Sequence, residues 1–144
     1  MPGFTTAASA ITALTASTTE TATANGAALG VVSGASALLF ILDVTAAATD
    51  VDDTLDVTIE SSWDGGTTFF DVASFTQVLG NGGAIRHGEK VQTQTAVAGF
   101  DLSTGLAAGA TRDCWGNVFR AVWTIVDPGA GAASFTFSVH LVQM

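Results

Sequence analysis

The chain has 144 residues, the size of one domain, and carries 13 acidic against 4 basic side chains, a formal net charge of −9. The cations are Arg86, Lys90, Arg112 and Arg120, with none before residue 86; such a chain lacks the basic footprint that neutralises phosphates, which excludes direct nucleic-acid binding. Cys114 is the only cysteine, so neither an intrachain disulfide nor a cysteine-rich metal site is available.

Residues 1 to about 35 are mostly Ala, Thr, Ser and Gly, with Phe4, Ile11, Leu14 and Leu29 as the larger apolar side chains. The interleaved Thr and Ser compete for the backbone and argue against a helix. The segment reads as an extended arm or edge strand. The 22 residues from Thr21 to Leu42 are uncharged. They do not read as a membrane span, because their first half is polar and small and no basic residue flanks them. The start has no positive region and does not read as a signal peptide.

From residue 37 the pattern is one of strands and turns. In "ALLFILDVTA", Phe40, Leu42 and Val44 alternate with Leu39, Ile41, Asp43 and Thr45, and the first half is apolar on both sides, as in a strand buried on both faces. In "TLDVTIESSW", Leu55, Val57, Ile59 and Trp63 share one face, with Asp56, Thr58 and Glu60 opposite. Asp64-Gly65-Gly66 supplies the positive φ angles of a hairpin turn, and "TTFFDVASF" returns as the partner strand.

"VLGNGGAIRHGEK" reads as a glycine-rich loop, "KVQTQTAVAGF" as a strand with Val91, Thr93, Thr95 and Val97 on one side, and "DLSTGLAAGATRDCWGN" as a second long loop. "NVFRAVWTIVD" places Phe119, Ala121, Trp123 and Ile125 on one face. Asp127-Pro128-Gly129 is a turn, and "SFTFSVHLV" brings Phe135, Phe137, Val139 and Leu141 inward. Seven to nine short strands with turns between them predict an all-β protein: a single antiparallel β-sandwich, of jelly-roll or immunoglobulin-like order, with an extended N-terminal arm. The expected division is an arm over 1–35 and a sandwich over 36–144.

Little in the chain points to catalysis. Asp43, Asp50, Asp52, Asp53 and Asp56 offer hard oxygen ligands suited to calcium, but the spacing is not that of an EF-hand loop and a solvated acidic loop is the simpler reading. Cys114, His87 and His140 have the chemistry of a nucleophile and base, yet nothing in the sequence brings them together. There is no G-x-S-x-G and no H-E-x-x-H. "GNGG" leads into no visible helix and so reads as a turn rather than a phosphate cradle. Trp63 and Trp115, near loops, are candidates for a sugar-stacking platform, whereas Trp123 belongs to the core by alternation. No enzyme activity, catalytic residue, cofactor or metal is expected.

The combination "LDVTIESSWDGGTTFFDVASFTQVLG" and "FRAVWTIVDPGAGAASFTFSVHLV" resembles small virion proteins of tailed bacteriophages. There a D-G-G-T hairpin precedes an aromatic-Asp-Val strand, and the chain closes on an S-F-T-F-S-V strand. The resemblance covers roughly residues 37 to 143, and its motifs are structural. It implies a head decoration (cement) protein on the capsid surface, or another capsid or tail accessory, with the major capsid protein and copies of itself, grouped as trimers, as partners. A virion module that binds carbohydrate or a host receptor is the alternative. The arm lies outside the resemblance. Its few apolar residues among small ones point to Phe4, Ile11 and Leu14 as anchors on neighbouring subunits, with strand addition supplying backbone partners. No nucleic-acid or membrane partner is expected.

Overall fold

The computed structural model describes residues 11–30, 35–92, 101–129 and 131–144. Among them the chain forms ten strands: β1 (Ile11–Glu20), β2 (Ala24–Asn25), β3 (Leu29–Gly30), β4 (Ala37–Ala46), β5 (Thr54–Ser62), β6 (Phe70–Ser74), β7 (Val78–Leu79), β8 (Ile85–Gln92), β9 (Val118–Val126) and β10 (Phe135–Gln143). No described residue is helical.

The strands form two sheets, ordered β1-β10-β4-β8 and β2-β9-β5-β6, with β3 added to β9 and β7 to β5. Every named pairing is antiparallel. The expected β-sandwich is therefore the observed fold. Its core follows from the period-two patterns: Phe40, Leu42 and Val44 of β4, Leu55, Val57 and Ile59 of β5, Phe119 and Ala121 of β9, and Phe135, Phe137, Val139 and Leu141 of β10 are all fully buried. Removing each large side chain from water contributes about 1.5–3 kcal/mol. The two layers meet through aromatic rings. Phe40 faces Phe119 at 5.8 Å, and Trp123 meets Phe137 edge-on at 5.4 Å.

Three local expectations are corrected. Leu39 and Ile41 lie on the outer face of the four-stranded sheet and are only half-buried, so β4 is not buried on both faces. Trp63 does not share the inward face of Leu55, Val57 and Ile59 but is 55% exposed. The β5–β6 register shifts between Ile59 and Glu60, and Ser61 and Ser62 are then both buried, which breaks the alternation before Trp63. Residues 78–90 are not one loop: β7 and β8 run through them, joined by a turn in which Asn81 (φ 59°) and Gly83 (φ 71°) are left-handed. Thr93, Thr95 and Val97 lie outside the described residues.

Of the two readings of the N-terminal segment, arm or edge strand, residues 11–20 follow the second. Strand β1 pairs with β10 from Ile11↔Val142 to Glu20↔Phe135, and β2 and β3 pair with β9 in the other sheet. Residues 11–30 thus edge both layers of the sandwich, and a boundary near residue 35 does not separate them from it. Side chains fasten the segment further: the Trp123 indole donates to the Ala22 carbonyl at 3.2 Å, and Ile125 N–H to Thr23 Oγ1 at 3.1 Å. Leu14, expected as an anchor on a neighbour, is 3% exposed and packs in the chain's own core. A Thr/Ala strand with Glu20 as its one charge finds its backbone partners on an open sheet edge, here that of β10. Phe4 lies outside the described residues, and Ile11 is placed only by its backbone pairing with Val142.

Candidate functional site

The chemistry-bearing side chains fall in four places: the tip of the β5–β6 hairpin, the acidic loops at one end of the sandwich, the isolated Cys and His residues, and the two edges of the four-stranded sheet.

The hairpin tip is built by Ser62 and Asp64. Ser62 Oγ donates to Asp64 Oδ1 at 2.7 Å and accepts from Gly66 N–H at 2.9 Å. Asp64 Oδ1 also accepts the N–H groups of Thr67 and Thr68 at 3.1 and 2.8 Å. The Ser62 hydroxyl, with the Thr68 and Thr67 amides, holds the Asp64 carboxyl down at about 2. Gly65 (φ 76°) and Gly66 (φ 99°) adopt the left-handed angles expected of them.

This loop raises aromatic rings to the surface. Trp63 lies 5.8 Å from Phe70, and Arg120 sits 3.7 Å over the Phe69 ring while its Nε donates to Glu60 at 2.6 Å. Beside them runs a groove of about 510 Å³ lined by Trp63, Thr68, Phe69, Asp101, Leu102 and Ser103. Asp101 is locked there by Ser103 N–H at 2.8 Å and Thr104 Oγ1 at 2.9 Å. The Ser103 hydroxyl and amide and the Thr104 hydroxyl lower its pKa. Trp115, the other candidate platform residue, is partly buried and packs against the core instead.

The acidic run of the sequence is dispersed by the fold. Asp43 pairs with Arg86 at 2.9 Å on the four-stranded sheet, and Asp56 accepts from Gln77 Nε2 at 2.9 Å. Asp50, Asp52 and Asp53 remain together in the β4–β5 loop, and Asp127 joins them from the β9–β10 loop. Asp127 was legible only as a turn residue, because its nearness to Asp53 depends on strand order.

Cys114, His140 and His87 stand in different settings. Cys114 lies in the loop before β9, partly buried against the core, and burial raises its pKa, with Arg112 acting the opposite way. Its thiol is therefore not activated. His140 is on the outer face of β10, 3.0 Å from Ser138 Oγ. His87, expected in a loop, lies on β8 with Nε2 buried and unpartnered. No described hydrogen bond joins either histidine to Cys114. The turn at residues 80–83 leads into β8, a strand, and so lacks the helix terminus that a phosphate cradle uses.

The sheet edges differ from each other. β8 carries Arg86, Glu89 and Lys90, and places His87 and Glu89 on the same side as the core residue Val91. Burial raises the Glu89 pKa, with His87 opposing. Inward and outward charges of this kind guard an edge against further strand addition. β1, at the opposite edge, has Glu20 as its sole charge and no proline, and only two register shifts, at Ala13/Thr15 and Thr15/Thr18, interrupt its ladder.

The chain matches no protein-family model, no curated protein and no solved structure. The described residues define an antiparallel β-sandwich whose four-stranded sheet is edged on one side by the charged strand β8 and on the other by β1, with Glu20 as its one charge.

Proposed function

We propose that this chain is a non-enzymatic structural protein of a phage virion, a decoration or cement protein that braces the capsid surface. Its partners in this reading are the major capsid protein and further copies of itself, grouped in threes. The observation that carries the reading is the contrast between the β8 edge, which bears Arg86, Glu89 and Lys90, and the β1 edge, whose sole charge is Glu20; this favours assembly through the β1 side. The resemblance of the D-G-G-T hairpin and the closing S-F-T-F-S-V strand to phage virion proteins supplies the context. Bound copies would act as a ligand of the assembled shell and stabilise it by mass action. Particles carrying the protein are expected to release DNA at a higher temperature than particles without it; equal release temperatures would remove the cement role.

A second reading, a virion module that binds carbohydrate or a receptor, is favoured by the exposed Trp63 beside the groove lined by Asp101 and Ser103. Sugars stack on such rings while carboxylates and hydroxyls take their OH groups. A glycan array would show hits that Trp63→Ala abolishes; an array without hits removes this reading.

A further inference from the structure

Exposed apolar side chains gather at one end of the sandwich. Among the described residues the large ones are Val51, Trp63, Leu79, Ile85, Val126 and Met144. Val51, Leu79, Ile85 and Val126 stand where the β4–β5 loop, the β7–β8 turn and the end of β9 come together. Leu79 and Val126 flank Thr54 from either side in the second sheet. Val51 lies in the β4–β5 loop, which is tied to the turn by Gly80 N–H on the Asp53 carbonyl at 2.8 Å and by Asn81 N–H on the Ala48 carbonyl. Ile85 opens β8. Apolar patches of this kind mark contact sites.

Two of these side chains also wall a cavity. On β8, Ile85, His87 and Glu89 stand opposite the core residues Val44, Leu42 and Phe40 of β4. Directly opposed residues share a face, so all three look into the gap between the sheets. The short strand β7 borders that gap from the other sheet. A cavity of about 240 Å³ remains there, between Val78 and Leu79 on one side and Ile85 and His87 on the other. Val78 is buried, whereas Leu79 is 53% and Ile85 41% exposed, so the cavity runs from the core to an apolar mouth. His87 Nε2 is buried and has no hydrogen-bond partner among the described residues. Leaving a buried polar atom unpaired is unfavourable, and an incoming group that pairs it is favoured. An apolar cavity of about 150 Å³ is enough to hold benzene, so this one has room for a ring bearing a hydroxyl.

Charge around the mouth narrows the choice of partner. The β4–β5 loop carries Asp50, Asp52 and Asp53, and the β9–β10 loop carries Asp127. Neither loop contains a Lys or Arg, and nor do residues 80–84 of the turn. Arg86, next along the chain, is paired with Asp43 at 2.9 Å. A second copy would bring its own net charge of −9 and has no tyrosine to offer. Like charges oppose such a pairing, and a basic surface complements it. A tyrosine hydroxyl both donates and accepts, and so pairs with Nε2 in either tautomer.

We propose that this end of the sandwich docks a different protein, which inserts a tyrosine side chain between β7 and β8 and lays Lys or Arg residues along the loops of Asp50, Asp52 and Asp127. The ring fills the cavity, its hydroxyl meets His87 Nε2, and Leu79, Ile85, Val51 and Val126 cover the apolar residues beside it. The surface lies on the β8 side of the four-stranded sheet, opposite the β1 edge, and does not depend on what that edge meets.

The test titrates the full chain, labelled with nitrogen-15, with the peptide acetyl-KKLYLKK-amide and follows the amide resonances. One control peptide has alanine in place of tyrosine, and another has glutamates in place of the lysines. Shifts are expected at β7, the β7–β8 turn, the start of β8 and the two acidic loops, with each control weaker by roughly tenfold or more. Leu79→Ser and Ile85→Ser, both at exposed positions, should weaken the tyrosine peptide to a similar extent, and Trp63→Ser should leave it unchanged. Affinity should fall as salt is added. The absence of shifts with about 1 mM peptide, where even weak contacts register, overturns the proposal. Equal binding of the alanine peptide overturns it by removing the anchor, and equal binding of the glutamate peptide by removing the charge. Self-association of the wild type in sedimentation, abolished by Leu79→Ser, would mean that a second copy covers this face and overturns it as well. Should either serine variant fail to fold, the three peptides compared on the wild type decide the matter.

Discussion

Trp123 and Phe137 meet edge-on across the two sheets, their ring centroids 5.4 Å apart, and so join β9 to β10 at the middle of the core. Trp123 is 4% exposed and Phe137 fully buried. Trp123→Ala and Phe137→Ala are each expected to cost about 3–5 kcal/mol, by lost transfer energy and the cavity left behind. A double-mutant cycle should return a coupling of about 0.5–1.5 kcal/mol, the share that belongs to ring geometry rather than burial. Urea unfolding of the four proteins measures both.

Leu14 distinguishes an arm from an integral strand. It is buried beside the core residues of the chain's own sandwich. Leu14→Ala should therefore lower the stability of the isolated chain by about 2–5 kcal/mol in urea unfolding. An unchanged stability, with only assembly impaired, would return this residue to the role of an anchor on a neighbour.

Asp64 makes the hairpin tip sensitive to acid. Its folded pKa, about 2, lies below the ordinary 3.8 because Ser62, Thr68 and Thr67 donate to the carboxylate. A depressed folded value means that the ionised form stabilises the fold. That contribution is present in full above the unfolded value and is lost as pH falls from about 3.8 through about 2. Stability measured by urea unfolding from pH 5 to pH 2 should fall less steeply for Asp64→Asn than for the wild type. Parallel curves would show that the hairpin does not draw on this charge.

Gly116 marks a place where backbone approaches backbone. A Cβ there would overlap the Ser62 carbonyl and lie 2.9 Å from Trp63 N, while Gly116 N–H donates to the buried Ser61 Oγ at 2.8 Å. Gly116→Ala is expected to cost about 1–3 kcal/mol through the forced shift. Gly30→Ala, where an added Cβ has nothing within 4 Å, should stay within about 0.5 kcal/mol of the wild type. Thermal unfolding of the two variants gives the comparison.

The candidate sites were legible to different degrees. The hairpin at Asp64-Gly65-Gly66 stood out because glycine at positive φ is a local requirement. The inward faces of β5, β9 and β10 stood out because alternation is local too. Trp63 was misplaced, since a register shift two turns of the pleat earlier moves a side chain to the other face without leaving a mark in composition. His87 was assigned to a loop because Gly80, Gly82, Gly83 and Gly88 surround it. Yet Gly88 sits inside β8, opposite Ile41, where the Leu39 side chain covers it.

By itself the sequence determined the fold class, the main core and the absence of a basic surface, all of which depend on residue type and spacing along the chain. Only the tertiary structure decided which strands are neighbours. That decision drew residues 11–30 into both sheets, buried Leu14, left β1 and β8 as unlike edges, and set Asp127 against Asp53 across 74 positions of sequence. The physical reason is that each strand has two edges and each loop many possible neighbours. Local pattern fixes which face turns inward, whereas the pairing of edges is settled by the summed burial and hydrogen bonding of the whole sandwich.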